Sequence, residues 1–549
     1  MAKKDDQEFD DQVDDQNPDG ELVEGEEEGD SRPANLGWTG WLISGSFHLI
    51  VLIMFGLIYW AVKEQEVDTP PVRVASIERP PEPEKKVEDT TLTPTELPLD
   101  VPDATVDKPS PISQLDLPVD VQAERETDSD NPIPKGREEA VADAEMGSQG
   151  AFMAIGAGGG GSGMFGSRTG GGKRRAIGKY GGSKGSESAV TAALEWFKKH
   201  QDPDGKWDPT GYPKNCTEDP KCEPGSTPEG AVNAITGYAL LCFLGAGFDH
   251  VTPNRYKQTV KKGLDQLVRV QAADGSWGRN YEHAVVVMAL AEAYAMTGDN
   301  ALKAPSQKGV DLMLARQNKD PKAADPQYAG LGWDYMGPNT RNDTSVTGWN
   351  VMALKSALAA QLNVGNGMDG AKKWLEQTWK ATNKNWDKLD PYKDVSRFPY
   401  TWTTGTDQVD ISDGPADNKD LACAGGTCAV FLGHKSGDVM LETLVNYVLK
   451  NQVPKQYPTN TYYMYYNTLA CFQAGGDKWK TWNGAVRDLL VNGQRKEPAC
   501  FRGSWDVGNQ GFHGADTGRT LITAYATLCL EVYYRYAQVA GAAAGGAAH

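Results

Sequence analysis

The sequence has no surplus of positive charge. Its 549 residues contain 55 Lys and Arg against 74 Asp and Glu, which gives a formal net charge of −19. Residues 1–30 hold fourteen acidic residues against Lys3 and Lys4, so −12 of that charge lies in this short segment. Since no basic face remains to neutralise a phosphate backbone, the composition argues against nucleic-acid binding.

Residues 38–62 contain no Asp, Glu, Lys or Arg. This stretch is long enough to span a bilayer, and Trp38 and Trp60 stand near its ends, as aromatic rings do at membrane interfaces. No small-residue cleavage site follows, so the sequence predicts an uncleaved transmembrane helix over residues 36–63. Residues 1–35 are acidic and poor in apolar side chains, and we expect a disordered cytoplasmic tail there.

Two compositionally biased segments follow this helix. Thirteen prolines lie in residues 69–134, which predicts a semi-stiff, acidic linker over 64–146. Sixteen glycines lie in residues 147–187, which predicts a flexible hinge over 147–185. The folded domain is expected over 186–540, with a disordered tail at 541–549.

No cysteine precedes residue 216. Two pairs, Cys216 with Cys222 and Cys423 with Cys428, are close together in loop-like sequence and are predicted to form disulfides in an oxidising compartment. Zinc is the alternative, which we disfavour because neither pair has the compact Cys-x-x-Cys spacing. The sequence therefore predicts neither a metal nor another cofactor, and it places the folded domain outside the cytoplasm.

Two kinds of helical segment alternate over residues 186–540. One kind is amphipathic, as in 254–271, where Val260, Leu264 and Leu267 form an apolar stripe. The other kind is apolar on nearly every side, as in 283–298, and must be buried between layers. Six such pairs predict an all-α double ring of outer and inner helices. The pairs, outer then inner, are 188–201 with 229–246, 254–271 with 281–297, 302–317 with 343–361, 367–382 with 417–433, 436–452 with 460–474, and 477–495 with 516–538.

A short phrase recurs where the outer helices end. Gln201, Gly205 and Trp207 have counterparts in Gln271, Gly275 and Trp277, and weaker copies begin at Gln317 and Gln494. The glycine can stop the helix, the Gln amide can pair with backbone groups left open at helix ends, and the Trp can cover the turn. We expect a structural role for this phrase, not a catalytic one.

The phrase resembles the QW repeat of the squalene–hopene cyclase and protein prenyltransferase superfamily, in particular a bacterial branch with prenyltransferase or squalene-oxidase repeats. The resemblance implies an (α/α)6 toroid for residues 186–540. The activity does not carry over, because the Asp-x-Asp-Asp motif of the triterpene cyclases is absent. Asp420, Cys423 and His434 are residue types that bind zinc in the prenyltransferases, but their spacing here is different. Whether the protein is an enzyme is therefore left open.

A second resemblance concerns the N-terminal segment. Ser44 and His48 within a single membrane helix, followed by a Pro/Glu/Lys-rich spacer, look like TonB-type energy transducers. The resemblance implies contact between Ser44 and His48 and the proton-channel motor proteins of a bacterial inner membrane, with the N-terminus cytoplasmic and the toroid periplasmic. The alternative is a generic anchor in which His48 bonds only to backbone.

Polar and aromatic residues that open the inner helices are expected to meet at one rim of the toroid, where they would form a pocket. As catalytic candidates we take His283, Asp343, Asp420, His513 and Asp516. As ligand-binding candidates we take Glu229, Glu282, Trp349, Tyr462, Tyr466 and Arg519. For each acidic residue, helix capping is the alternative role.

Three hypotheses follow. The first is a membrane-tethered periplasmic module that binds or scaffolds a lipid, glycan or protein, coupled to a membrane motor through its anchor. The second is an enzyme, acting either on isoprenoids or, as a lyase or hydrolase, on a polysaccharide. The third is a structural spacer in a cell-envelope assembly.

Overall fold

The structure is a computed structural model that describes residues 48, 167–226, 231–325, 330–414, 417–508 and 514–538. The chain divides into two units, Met1–Ala104 and Thr105–His549, and the fold described here is that of the second. Within these ranges, no helix is both long enough and apolar enough to cross a bilayer. The predicted transmembrane helix lies outside the described residues apart from His48, which is helical and exposed.

Helix α1 (Gly170–Tyr180) precedes six pairs of outer and inner helices. The outer helices are α2 (Lys184–His200), α4 (Lys257–Arg269), α6 (Asn300–Arg316), α8 (Gly367–Thr382), α10 (Val439–Asn451) and α12 (Gly476–Gly493). The inner helices are α3 (Val232–Gly245), α5 (Asn280–Thr297), α7 (Thr344–Ala359), α9 (Ala422–Phe431), α11 (Thr461–Ala474) and α13 (Gly514–Leu530). A short helix, α14 (Val532–Arg535), follows α13.

The inner helices form a closed ring. Each contacts the next inner helix along the chain, and α13 returns to contact α3. The outer layer closes at the same seam, where α12 packs against α2. The six hairpins expected from the sequence are therefore present, and they form the predicted α/α toroid.

Burial follows the two helix patterns. In α4, Val260, Leu264 and Leu267 are fully buried, while Lys261 and Asp265 face solvent and pair at 2.7 Å. In α5, every residue from Glu282 to Met296 is buried. An outer helix thus covers the core with one face, whereas an inner helix is surrounded by its neighbours.

Short strands lie in the loops that join outer to inner helices. β1 (Arg341–Asp343) pairs antiparallel with β2 (Thr401–Thr403), and β2 pairs with β3 (Val409–Asp410). β4 (Asp413–Gly414) and β5 (Asp417–Asn418) form a small hairpin. These loops line the rim at which the inner helices begin.

The recurring Gln and Trp residues join neighbouring repeats. The Gln201 amide donates to the carbonyls of Gly205, in its own turn, and Thr259, in the next outer helix, at 2.9 Å each. Gln271, Gln317 and Gln494 each likewise donate to one carbonyl in the loop that follows and to one carbonyl in a neighbouring outer helix. The Trp207 indole donates to the Phe197 carbonyl at 2.8 Å. The predicted structural role of the phrase is therefore confirmed.

The folded domain begins before the predicted boundary at residue 186. Helix α1 lies inside the range for which we predicted a flexible hinge, 147–185. Arg168, just before it, is buried, pairs with Glu292 and donates to the Leu244 carbonyl at 3.1 Å. Arg535 pairs with the same carboxylate at 2.7 Å. These buried ionic contacts fix the start of the domain at the C-terminal ends of α3 and α5.

Candidate functional site

Asp343 caps an inner helix. Its carboxylate accepts the N–H groups of Ser345 at 2.9 Å and Val346 at 3.1 Å, at the N-terminus of α7, and it pairs with Arg341 at 3.0 Å. Burial raises the pKa of this carboxyl group, and the bonds from Ser345 and Arg341 oppose that effect. These contacts correspond to the capping alternative.

Asp420 has a comparable environment at the start of α9. It is fully buried, accepts from Arg397 Nε at 2.6 Å and accepts the Ala422 N–H at 3.0 Å. Burial raises its pKa, against the opposing hydrogen bond from Arg397. The carboxylate is therefore used to hold the start of an inner helix and a rim-loop arginine together.

His283 points toward the outer layer. Its Nε2–H donates to the Gly309 carbonyl of α6 at 2.9 Å, and its ring lies 5.5 Å from that of Trp277. Burial lowers its pKa to about 4, so the imidazole is neutral near pH 7. The neighbouring Glu282 pairs with Arg279 at 2.6 Å. The two residues are adjacent in sequence but have separate partners.

Aromatic side chains of the inner helices meet around the axis of the ring. The hydroxyl groups of Tyr238, Tyr281 and Tyr525 lie 3.1–3.4 Å from one another, and the Trp349 indole donates to Tyr281 at 3.0 Å. Trp349 also stacks on Tyr465 with ring centroids 5.6 Å apart.

Tyr462 and Tyr466 pack edge to face at 5.2 Å in the same cluster. Trp349, Tyr462 and Tyr466 therefore lie together, and each is at most 3% exposed. Their role in ligand binding stays a prediction. These buried rings fill the space around the axis of the ring.

Arg519 lines a cleft of about 740 Å³ at the rim, between the loops of the first and sixth repeats. It donates to Asp506 at 2.6 Å and to the Ser504 hydroxyl at 3.0 Å. Arg495 holds the other oxygen of Asp506 at 2.8 Å. The Phe501 ring lies 4.4 Å from the Arg495 guanidinium and 5.6 Å from that of Arg519.

Three predicted residues cannot be placed at the rim. Glu229 and His513 lie outside the described residues, and only the backbone of Asp516 is described, within α13. Ser44 is likewise outside the described ranges. These assignments stay predictions.

The predicted disulfides are not present. All eight cysteines lie within the described residues, and each is a buried free thiol. Cys423 and Cys428 are both on α9, where a separation of five residues turns their side chains about 140° apart, too far round the helix for a disulfide. The prediction for Cys423 and Cys428 is wrong because the loop-like glycines between them are part of an inner helix.

Cys216 and Cys222 instead lie beside two residues that the sequence analysis did not select, His200 and Cys500. The imidazole nitrogen and the three sulfurs all lie within 4.8 Å of one another, and all four residues are buried. His200 Nε2 is 3.4 Å from Cys216, 3.6 Å from Cys222 and 3.3 Å from Cys500. Three soft sulfurs and one imidazole form a donor set suited to a metal such as zinc.

The orientation of His200 is set by its second nitrogen. Nδ1–H donates to the Trp196 carbonyl at 2.7 Å, which leaves the lone pair of Nε2 facing the sulfurs. The ring stacks on Trp196 at 4.4 Å. Burial lowers the pKa of His200 to about 4, so the ring is neutral.

A signal for this cluster was present in the repeat pattern. His200 directly precedes Gln201, and Cys500 lies between Gln494 and Gly503, in the equivalent turn of the sixth repeat. Because a ring of six hairpins brings the sixth repeat beside the first, these two turns must be neighbours. The spacing of cysteines along the sequence does not reveal this relationship, because the cluster joins two distant turns.

Comparison with known families agrees with the fold. Residues 175–286 match the model of the squalene–hopene cyclase C-terminal domain, which confirms the resemblance predicted from the QW phrase. Comparison with curated proteins found no match. The likeness of the N-terminal segment to TonB-type transducers stays a prediction.

Solved structures of similar shape include the GH76A α-1,6-mannanase of Salegentibacter sp. HEL1_6, with 11% identity, a TM-score of 0.41, and coverage of 63% of this chain and 98% of that one. The type II terpene cyclase MstE of Scytonema has 10% identity and a TM-score of 0.36, covering 64% of this chain and 97% of that chain. At such low identities and TM-scores, nothing about substrate or mechanism follows from these structures.

Proposed function

We propose that the protein is a binding module for an acidic glycan, which it holds in the rim cleft. The observation that carries this proposal is the pair of arginines, Arg495 and Arg519, held beside Phe501 in a cleft of about 740 Å³. This volume lies within the range of about 300–1,000 Å³ typical of ligand sites. Lys221 adds a third cation, against two acidic residues, Glu223 and Asp506.

The arginines are held before any ligand arrives. Asp506 accepts from both guanidinium groups, at 2.8 and 2.6 Å, so neither side chain has to be ordered on binding. Planar guanidinium groups recognise carboxylates, and an aromatic ring offers an apolar surface to a sugar face. A uronic acid or another acidic sugar matches this combination.

The packed aromatic side chains around the axis of the ring favour a ligand at the rim and disfavour a lipid inside the barrel. Trp349, Tyr465 and Tyr466 are fully buried by their neighbours around the axis. An isoprenoid chain seated there would have to displace these rings, which cost several kcal/mol each to remove from their packing.

Hydrolysis of a glycan is the second candidate, because the cleft holds two carboxylates, as glycosidases require. Asp506 does not suit the proton-donating role. Burial alone would raise its pKa, but the hydrogen bonds and charges of Arg519 and Arg495 outweigh burial and lower it. An acid that must be protonated near neutral pH needs the opposite shift, so hydrolysis would require Glu223 as the proton donor.

Calorimetric titration of the full chain with neutral and uronate-containing oligosaccharides of equal length tests the proposal. We expect binding of the acidic set alone, weakened about tenfold or more by Arg495→Met and weakened by added salt. Arg487→Met is the matched control, since Arg487 pairs with Asp488 and does not line the cleft. Equal binding of neutral sugars, or turnover that Glu223→Gln abolishes, would overturn the binding proposal.

The anchor completes the proposal. A transmembrane helix over 36–63 and the long linker would let the module reach ligands away from a bacterial inner membrane, and Ser44 and His48 would contact a motor complex. In-cell crosslinking from residue 44, compared between the wild type and His48→Ala, tests this contact. Unchanged crosslinked partners in the variant would count against the motor.

A further inference from the structure

The first and last repeats of the toroid meet at a seam, and four potential metal ligands lie there. His200 is the last residue of α2, Cys216 and Cys222 are in the loop that follows, and Cys500 is in the loop after α12. We propose that His200, Cys216, Cys222 and Cys500 bind one structural zinc ion that clasps the ring closed.

The distances fit a tetrahedral ion. Zinc bonds of about 2.3 Å to sulfur and about 2.1 Å to nitrogen place those two atoms about 3.6 Å apart at tetrahedral angles. The three nitrogen–sulfur separations here are 3.4, 3.6 and 3.3 Å. All four donors also lie within 4.8 Å of one another, so an ion needs only small adjustments of the side chains.

The surroundings of the donors are those of a metal site. Nδ1–H of His200 is held by the Trp196 carbonyl, which aims Nε2 at the sulfurs. The Cys222 N–H donates to the Cys216 sulfur at 3.4 Å, and the backbone N–H groups of Thr217 and Glu218 interact with the Cys500 sulfur. Such N–H groups stabilise thiolate ligands in the buried state.

The filled site would carry a small net negative charge. Binding displaces one proton from each of the three thiols, and His200 binds through the lone pair of Nε2, so the filled site carries a net charge of −1. The backbone N–H groups directed at the Cys216 and Cys500 sulfurs stabilise this negative charge. With all four positions taken by protein, the ion has no open site for substrate, which defines a structural role.

The clasp also shapes the cleft. Lys221, Glu223 and Pro224 continue from the Cys222 loop into one wall, and Phe501 follows Cys500 in the other. The zinc proposal itself does not depend on any ligand in that cleft, because none of its four donors lines the cleft.

Metal analysis of the untagged full chain, purified without chelator or added zinc, tests the proposal. We expect about one zinc per chain after gel filtration, and less than about a tenth of that for Cys222→Ser, Cys500→Ser or His200→Ala. Cys423→Ala, which removes a buried thiol elsewhere, should retain about one equivalent. Wild-type protein stripped with a chelator and refilled with cobalt(II) should give the thiolate charge-transfer absorption of a tetrahedral sulfur site.

The refilling experiment uses the native sequence, so it remains decisive if a variant fails to fold. A folded wild-type chain that takes up neither zinc nor cobalt would overturn the proposal. So would a disulfide between Cys216 and Cys222 in the freshly purified, alkylated protein, or unchanged zinc content in Cys222→Ser and Cys500→Ser. Loss of glycan binding in Arg495→Met with zinc retained would concern the cleft alone.

Discussion

His200 and Cys500 are 300 residues apart in sequence, yet His200 Nε2 lies 3.3 Å from the Cys500 sulfur. This contact crosses the seam where the sixth repeat meets the first. The helices on either side, α2 and α12, pack together at the same place. We therefore expect the stability of the closed ring to depend on whether these two residues bind a metal ion.

Removing metal from the seam should loosen the loop over residues 201–226 without unfolding the toroid. We expect trypsin to cleave after Lys214 and Lys221 at least about tenfold faster once a chelator has been added, because local opening of the loop then costs less free energy. The measurement is limited proteolysis followed by mass spectrometry of the fragments, with zinc re-addition restoring protection.

Lys393 supplies an internal control for that experiment. Its side chain is 81% exposed in a loop of the fourth repeat, far along the chain from the four ligands. Cleavage there should proceed at the same rate with and without chelator. Parallel acceleration at Lys393 and Lys221 would indicate general unfolding and contradict a local clasp.

The Gln of the repeated phrase is expected to stabilise the junction between neighbouring repeats. Gln317 is buried and donates to the carbonyls of Leu331 at 2.7 Å and Gly367 at 3.0 Å. Gln317→Ala leaves two buried acceptors without their donor, so we expect a loss of about 2–3 kcal/mol in the free energy of unfolding, measured with urea. Gln452→Ala is the control, because that amide makes a single long contact of 3.5 Å; equal losses would refute the argument.

The helical pairs were predictable because periodicity alone separates the two layers. The stripe of α4 and the all-round apolar character of α5 are properties of each segment, independent of what packs against it. The Gln–Trp phrase was equally local, since the bonds of Gln201 begin in its own turn. The early start of the domain was not predictable, because the sequence before Tyr180 is rich in glycine. The segment is held by one buried arginine, Arg168, and its partners come from α3 and α5.

His283 is expected to make the toroid less stable in mild acid. Burial lowers its pKa in the folded chain to about 4, whereas an unfolded histidine titrates near about 6.5. Between these two pH values the unfolded chain binds a proton at this histidine that the folded chain does not. The contribution of neutral His283 to folding stability is therefore complete above about pH 6.5 and is lost as the pH falls toward about 4. The slope from this residue reaches about 1.4 kcal/mol per pH unit.

His283→Gln provides the comparison, since its amide can still donate to the Gly309 carbonyl but does not titrate. Urea unfolding at several pH values between about 4 and 7 should give a shallower slope for the variant. If the wild type and the variant lose stability in parallel over this range, His283 is not the group responsible.

The aromatic axis is expected to be a packed core. Trp349 is fully buried, donates to Tyr281 and stacks on Tyr465, so Trp349→Ala should cost about 3–5 kcal/mol of stability through the cavity it leaves. Trp386, 38% exposed, is the control, and Trp386→Ala should cost less than about 1 kcal/mol. A wild-type axis that already binds a hydrophobic ligand would instead make Trp349→Ala change affinity with little loss of stability.

The site was harder to foresee than the fold, for a physical reason. Asp343 and Asp420 are residue types that serve equally as helix caps and as catalytic acids, and only their burial and their partners, Arg341 and Arg397, distinguish the two uses. The cysteine cluster depends on which turns the closed ring brings together, which no single segment specifies. The sequence therefore showed which single residues could act as caps or acids, but it did not show which distant residues the closed ring brings together.

Arg168 is expected to be as important for stability as a core residue, although it lies in a glycine-rich segment. Its guanidinium is fully buried, pairs with Glu292 and donates to the carbonyls of Leu244 at 3.1 Å and Arg535 at 3.3 Å. Arg168→Ala leaves those acceptors and part of a buried carboxylate without a partner, so we expect a loss of about 3–5 kcal/mol. Arg174→Ala, at an exposed position of α1, should cost less than about 0.5 kcal/mol. Thermal and urea unfolding of both variants measures the difference, and similar small losses for the two would show that the domain does not need the segment before α1.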